Sequence, residues 1–228
     1  MTPLRPILRK LRLVTPLLLH RERIRYTLET LPTLADAESP KFVFAHLMCP
    51  HFPYTFDEDG GFQPESAEGF SWNANQEPET FDKERYRQFT VSSYPAQVKY
   101  LNKQVAQMLE SLLARSTRPP IIILQGDHGP DALCHPTEPD LACLKEHFPI
   151  LNAFYLPGDG RDLVYSEITP VNTFRVVLAA YFGARLEALP DRNFWSTYFE
   201  PFVYREHTSE IQGSVGAQGD GSLPSGNL

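Results

Sequence analysis

The residues with the clearest chemical potential are Asp127 and His128, within Gln125-Gly126-Asp127-His128-Gly129-Pro130. A carboxylate and an imidazole leaving the chain side by side offer one hard oxygen and one nitrogen donor, a pair suited to a divalent cation such as zinc or manganese. They directly follow the apolar run at residues 121–124, and ligands of open α/β sheets sit outside the carboxyl ends of strands. Gly126 and Gly129 let the backbone turn on both sides of the pair. An aspartate capping a turn beside a surface histidine would look the same in isolation, so the position after the strand is what marks this pair. A second constellation is Ala45-His46-Leu47-Met48-Cys49-Pro50-His51-Phe52-Pro53-Tyr54. His51 opens a long loop and is held between two prolines; an imidazole there can donate to a phosphoryl or sulfuryl oxygen or pass a proton. His46 is a candidate for the same pocket, although a lone histidine on an apolar run is more often a core residue. His135, His147 and His207 stand among polar residues without a spaced partner and read as exposed. No GxSxG elbow, P-loop or GxGxxG is present.

Elements must place these residues. Residues 41–47 (KFVFAHL) form a short run rich in Val and Phe, the pattern of a buried strand. Residues 48–79 carry several prolines and glycines with no steady period, a loop long enough to expect function of it. From Pro95 the period becomes helical, with Val98, Leu101, Val105, Met108, Leu109 and Leu112 on one face and Pro119-Pro120 ending it. Residues 121–124 then read as a fully buried strand. Strand, helical crossover and strand make a βαβ unit, which predicts parallel pairing. Residues 149–156 (PILNAFYL) are a third strand, and Thr169-Pro170 opens a helix that Gly183 closes. The fold class is therefore α/β, a parallel or mixed sheet flanked by helices, with His51, Asp127 and His128 at one sheet edge if the first two strands are neighbours.

The 228 residues are 42% hydrophobic and 12% aromatic, which suits a globular chain of one large or two small domains. The formal charge of −7 speaks against a nucleic-acid partner, which needs a basic face. No apolar run approaches the roughly 20 residues that span a bilayer. The basic residues gather at the start: Arg5, Arg9, Lys10, Arg12, Arg21, Arg23 and Arg25 face only Glu22. Such a segment lies against anionic lipid or an acidic partner, or is simply solvated. Residues 13–19 are apolar but short, carry Pro16 and precede no cleavage site, unlike a signal peptide. Residues 1–39 thus read as a basic linker or helical segment, 40–200 as the α/β domain, and 201–228, rich in Gly and Ser from Thr208 on, as a disordered tail. Cys49, Cys134 and Cys143 match no CxxC pattern and read as buried or half-buried thiols, a Cys134–Cys143 disulfide being the alternative.

The segments KFVFAHLMCPHFPY, IIILQGDHGP, FPILNAFYLPG and TPVNTFRVVLAAYFG together resemble the C-terminal half of sulfatase-like hydrolases. These belong to the alkaline phosphatase/sulfatase superfamily. The resemblance runs from about residue 40 to about residue 194 and is nearest to the bacterial membrane-anchored branch of lipoteichoic acid synthases and phosphoethanolamine transferases. It implies Asp127 and His128 as ligands of a divalent ion (zinc, manganese, magnesium or calcium), and His51 and His46 as residues of the pocket around the transferred group. It also implies an upstream acid and a Thr, Ser or formylglycine-generating Cys nucleophile. Neither is recognisable before Lys41, and Cys49 is followed at once by Pro50, so no nucleophile is assigned. The resemblance therefore leads to a metal-dependent hydrolase or phosphotransferase acting on a small-molecule, lipid or polymer ester. It would be the carboxyl-terminal half of an active site, partnered by an amino-terminal half or a membrane-anchored part, in an extracytoplasmic setting. The alternatives are a non-catalytic accessory subunit that keeps the fold, or an unrelated α/β domain in which GDHG is a chance turn.

Overall fold

The computed structural model describes residues 16–38, 40–63, 83–134, 139–197 and 199–215. The chain divides into two units, Met1–Pro120 and Ile121–Leu228, a division that falls inside the span 40–200 read from sequence as one domain. Arg5, Arg9, Lys10, Arg12, loop residues 64–79, His135 and the tail beyond 215 lie outside the described residues.

In the first unit, helix α1 (Pro16–Thr30) runs into a 3-10 turn at Leu31–Asp36, and helix α2 spans Lys83–Arg115. The buried face of α1 is Arg21, Ile24 and Leu28, spaced by three and four residues. Ile24 and Leu28 meet Phe56 and Tyr100 in the core, with Leu47, Cys49, Leu101, Val105 and Met108 packed around them. The rings of Phe56 and Tyr100 stack at 4.6 Å. Burying each large apolar side chain contributes about 1.5–3 kcal/mol. Helix α1 is thus packed into this unit, and Arg21 is 7% exposed. Its guanidinium donates to Thr55 O and Gly61 O, both at 2.8 Å, and to Gly60 O. It also lies 4.4 Å over the Phe56 ring, while Arg25 donates to Gly60 O at 3.1 Å.

Helix α2 and residues 41–47 both differ from the sequence expectation. Helix α2 begins at Lys83, ahead of Pro95, which lies inside it. Proline removes one i→i−4 bond, but the helix continues because both sides of Pro95 are packed: Thr90 and Gln97 are 2% and 0% exposed, and Tyr54 stacks on Phe89 at 5.4 Å. Residues 41–47 form no strand. Phe42 and Phe44 are 79% and 78% exposed, and an apolar run becomes a strand only where a neighbour supplies its hydrogen-bond ladder, which no described residue does.

In the second unit, β1 (Ile122–Gln125) pairs with β2 (Asn152–Tyr155). The pairing is antiparallel, with Ile122 opposite Tyr155 and Gln125 opposite Asn152. The expected parallel βαβ arrangement is not seen among the described residues, because β1 pairs with the strand that follows it and the run before it is not a strand. With one neighbour, β1 is half-buried and ends exposed at Gln125, instead of fully buried. Between these strands lies a short helix, α3 (Leu141–His147), and after them α4 (Pro170–Phe182). Helix α4 has the expected ends: proline in its first turn and Gly183 in the left-handed conformation at φ 66°. Its start is tied by Asp191, which accepts from Thr169 N–H at 2.8 Å, Thr169 Oγ1 at 2.6 Å and Asn172 Nδ2 at 3.1 Å. Strands β3 (Phe194–Trp195) and β4 (Arg205–Glu206) form a second antiparallel pair. Residues Thr208–Val215, expected to be disordered, form helix α5. The sequence reading missed it because its anchors are tertiary: α5 packs on α3, and Thr208 Oγ1 accepts from Asn193 N–H at 2.9 Å. No helix among the described residues is long and apolar enough to cross a membrane.

Candidate functional site

Asp127 and His128 emerge directly after β1, as expected. The Asp127 side chain is 79% exposed and that of His128 35%, and their nearest nitrogen and oxygen atoms stand 3.7 Å apart. Asp127 Oδ1 accepts from the backbone N–H of His128 at 3.0 Å, a local turn contact. His128 Nδ1 lies 2.7 Å from the Gly129 carbonyl. A carbonyl only accepts, so Nδ1 carries the proton and the lone pair is on Nε2. Of the two flanking glycines, Gly126 has room for a Cβ, with its nearest neighbour at 3.8 Å. At Gly129 a Cβ would come within 1.9 Å of the Glu146 carbonyl oxygen. That glycine serves a close approach, not the tight turn expected from sequence.

What approaches Gly129 is the carboxyl end of α3. Asp140 caps the first turn of this helix, its Oδ1 accepting from Cys143 N–H at 2.8 Å. The Gly129 amide donates to His147 O at 2.6 Å, and Leu133 N–H donates to Glu146 Oε2 at 2.7 Å. Burial pushes the Glu146 carboxyl above the ordinary range, against the pull of that Leu133 bond. Cys134 and Cys143 are joined as a disulfide with their Cα atoms 4.5 Å apart, which corrects the reading of both as free thiols. These links strap residues 129–134 against α3. They place His147 between two rings, His128 at 4.8 Å and nearly parallel, and Trp195 at 5.2 Å and edge-on. His147 Nδ1 is 2.5 Å from Asp131 Oδ1.

His128, Asp131 and His147 each offer one donor atom, all within 4.8 Å of one another. Two imidazoles and a carboxylate fit zinc and similar divalent ions, so the residues present suit the metal that the sequence resemblance implies. Asp131 and His147 were not singled out from sequence, and His147 was read as exposed. It is half-buried, with 23% of its side chain exposed against 29% for Asp131. The signal that would have found it is Asp140, an N-cap residue seven positions earlier that sets the helix carrying His147.

His46 and His51 belong to the first unit. Both are exposed, and His51 Nδ1 lies 2.6 Å from the Phe52 carbonyl. The loop carrying His51 is held by Gln97, whose Oε1 accepts from Thr55 N–H at 2.8 Å and whose Nε2 donates to Pro50 O at 3.1 Å. His20 lies close enough to feel His51: burial lowers its pKa most, with Arg23 and then His51 adding to the shift. Cys49 is a free thiol that burial pushes up to about 12, so it is protonated and unreactive at neutral pH.

The Sulfatase family matches residues 22–174, about two thirds of the 228-residue chain. That span takes in His46, His51, Asp127, His128, Asp131 and His147. No curated protein and no solved structure matches the chain. A match over this much of the chain places it in the sulfatase family, to which the chain belongs.

Proposed function

We propose that the chain is a sulfatase-like, metal-dependent hydrolase or phosphotransferase acting on phosphate or sulfate esters, and that it supplies part of an active site whose nucleophile comes from elsewhere. The observation that carries this reading is the position of Asp127-His128 at the exposed end of β1 within the family-matched span. A bound divalent ion would supply positive charge to a phosphoryl or sulfuryl oxygen as charge develops there. Asp127 and His128 would hold it. Within the superfamily we assign the chain to the membrane-anchored branch, with a lipid or polymer ester as substrate and an amino-terminal half or membrane-anchored part as partner. The test uses aryl phosphodiester and aryl sulfate substrates with added zinc or manganese. Turnover should fall at least a hundredfold in Asp127→Ala and His128→Ala; unchanged turnover in both variants of an active preparation would refute the reading.

One observation favours a second reading, a non-catalytic accessory subunit. Phe42, Val43 and Phe44 are exposed and pair with no strand among the described residues, and an exposed apolar run of this kind seeks another chain. This reading expects no hydrolysis of any ester by the purified chain, and measurable hydrolysis eliminates it.

A further inference from the structure

The chain that leaves β1 is pressed against the end of α3, and His128 lies where the two meet. Its side chain is 35% exposed, and an imidazole turns about a broad, two-fold torsion at its second side-chain angle. The hydrogen bond from Nδ1 to the adjacent Gly129 carbonyl is a weak restraint on a ring so placed. The ring of His147 supplies a second one. It lies flat against His128, with centroids 4.8 Å apart and planes 15° apart, within the range of offset aromatic stacking. His147 is itself fixed from three sides. Its Nδ1 donates to Asp131 Oδ1 at 2.5 Å, the Trp195 ring stands edge-on to it at 5.2 Å, and its carbonyl accepts from the Gly129 amide at 2.6 Å. That last bond ties the backbone beside His128 to the residue whose ring covers it.

We propose that His147 is a positioning residue: its ring holds the His128 imidazole in the orientation that keeps the proton on Nδ1 and presents the Nε2 lone pair to an ion shared with Asp127. In that orientation Nε2 stands 3.7 Å from Asp127 Oδ2. The ion belongs to the proposed function, on which this role rests, whereas the orientation of His128 is a property of the metal-free chain. Both imidazoles have the chemistry of a ligand, but a lone pair lies in the plane of its ring. Planes stacked nearly parallel do not bring two nitrogens to one point, so His147 contributes a face. A ligand side chain held before binding spares the ion an ordering cost, worth about 3- to 10-fold in affinity.

The full-length, isotope-labelled chain is stripped with a chelator and its imidazole nitrogens are read by NMR at about pH 8, above the ordinary histidine range. His128 is assigned by difference from His128→Gln. In the wild type its two nitrogens should show the well-separated shifts of a single Nδ1–H tautomer. His147→Leu and His147→Gln keep bulk or polarity but lose the flat ring, and each should draw the two shifts together as tautomers exchange. His147→Phe should restore the wild-type pair. Zinc chloride titrated by calorimetry should bind about 3- to 10-fold more weakly to the Leu and Gln variants and as in the wild type to His147→Phe. Circular dichroism and an intact disulfide by mass spectrometry identify the folded variants. A folded Leu or Gln variant with the wild-type shifts overturns the positioning role. Equal losses in His147→Phe and His147→Leu also overturn it, since a nitrogen of His147 would then matter and not its face. A chain that shows the tautomer pattern but takes up no zinc upholds the role and counts against the proposed function alone.

Discussion

Arg21 illustrates how one side chain can organise a loop. Its planar fork meets three backbone carbonyls while its face covers Phe56, a task that lysine's point charge cannot repeat. Arg21→Met leaves those carbonyls without their donor, and at about 1–3 kcal/mol for each unsatisfied buried group the first unit should lose several kcal/mol. Arg21→Lys should recover only a small part of the loss in a chemical denaturation series. Full recovery would mean that charge, not geometry, matters. Nothing in the sequence distinguishes Arg21 from Arg23, two residues on and exposed, because the distinction rests on which face of α1 meets the loop. Asp127 and His128 were legible for the opposite reason: a strand end fixes their place through the local chain alone. Asp131 and His147 depend on a helix packing back onto a loop, so their proximity is not written in their spacing.

At the scale of elements, α3 is short and has little stability of its own. Isolated helices under about 12 residues are marginal in water, so its seven residues rely on the Asp140 cap and the Cys134–Cys143 bridge. Closing that loop stabilises by about 2.7 kcal/mol on the chain-entropy relation. The Cys134→Ser/Cys143→Ser variant should melt roughly 10 °C lower. A melting temperature unchanged by the double substitution would show that the bridge is incidental. The helix α4 and its glycine stop were readable because proline and glycine act through their own backbones. The parallel pairing that the sequence predicts is not seen among the described residues, because strand partnership is a property of the neighbours available to a run, not of the run. Residues 41–47 have the composition of a strand and find no strand partner among the described residues.

For the whole molecule, the two units should respond differently to acid. The pKa of His20 in the first unit is lowered by burial from 6.5, so the unfolded chain takes up the proton more readily. Its contribution is complete above about pH 6.5 and is lost as pH falls below that value. His20→Gln should flatten the dependence of melting temperature on pH between 7 and 5. In the second unit the hydrogen bond from Arg192 holds Glu206 down to about 2 from 4.5, so that pair contributes above pH 4.5 and is lost between 4.5 and about 2. Glu206→Gln should alter the melting profile only in this lower window; a change near neutrality would contradict the assignment. The amide of Gly129, bonded to His147 O at 2.6 Å beneath a wall that admits no Cβ, has a consequence in another observable. Solvent deuterium can reach it only when residues 129–134 lift from α3. Its exchange rate is therefore a clock for the opening of that strap, readable one residue away from His128, and a bound ion should slow it.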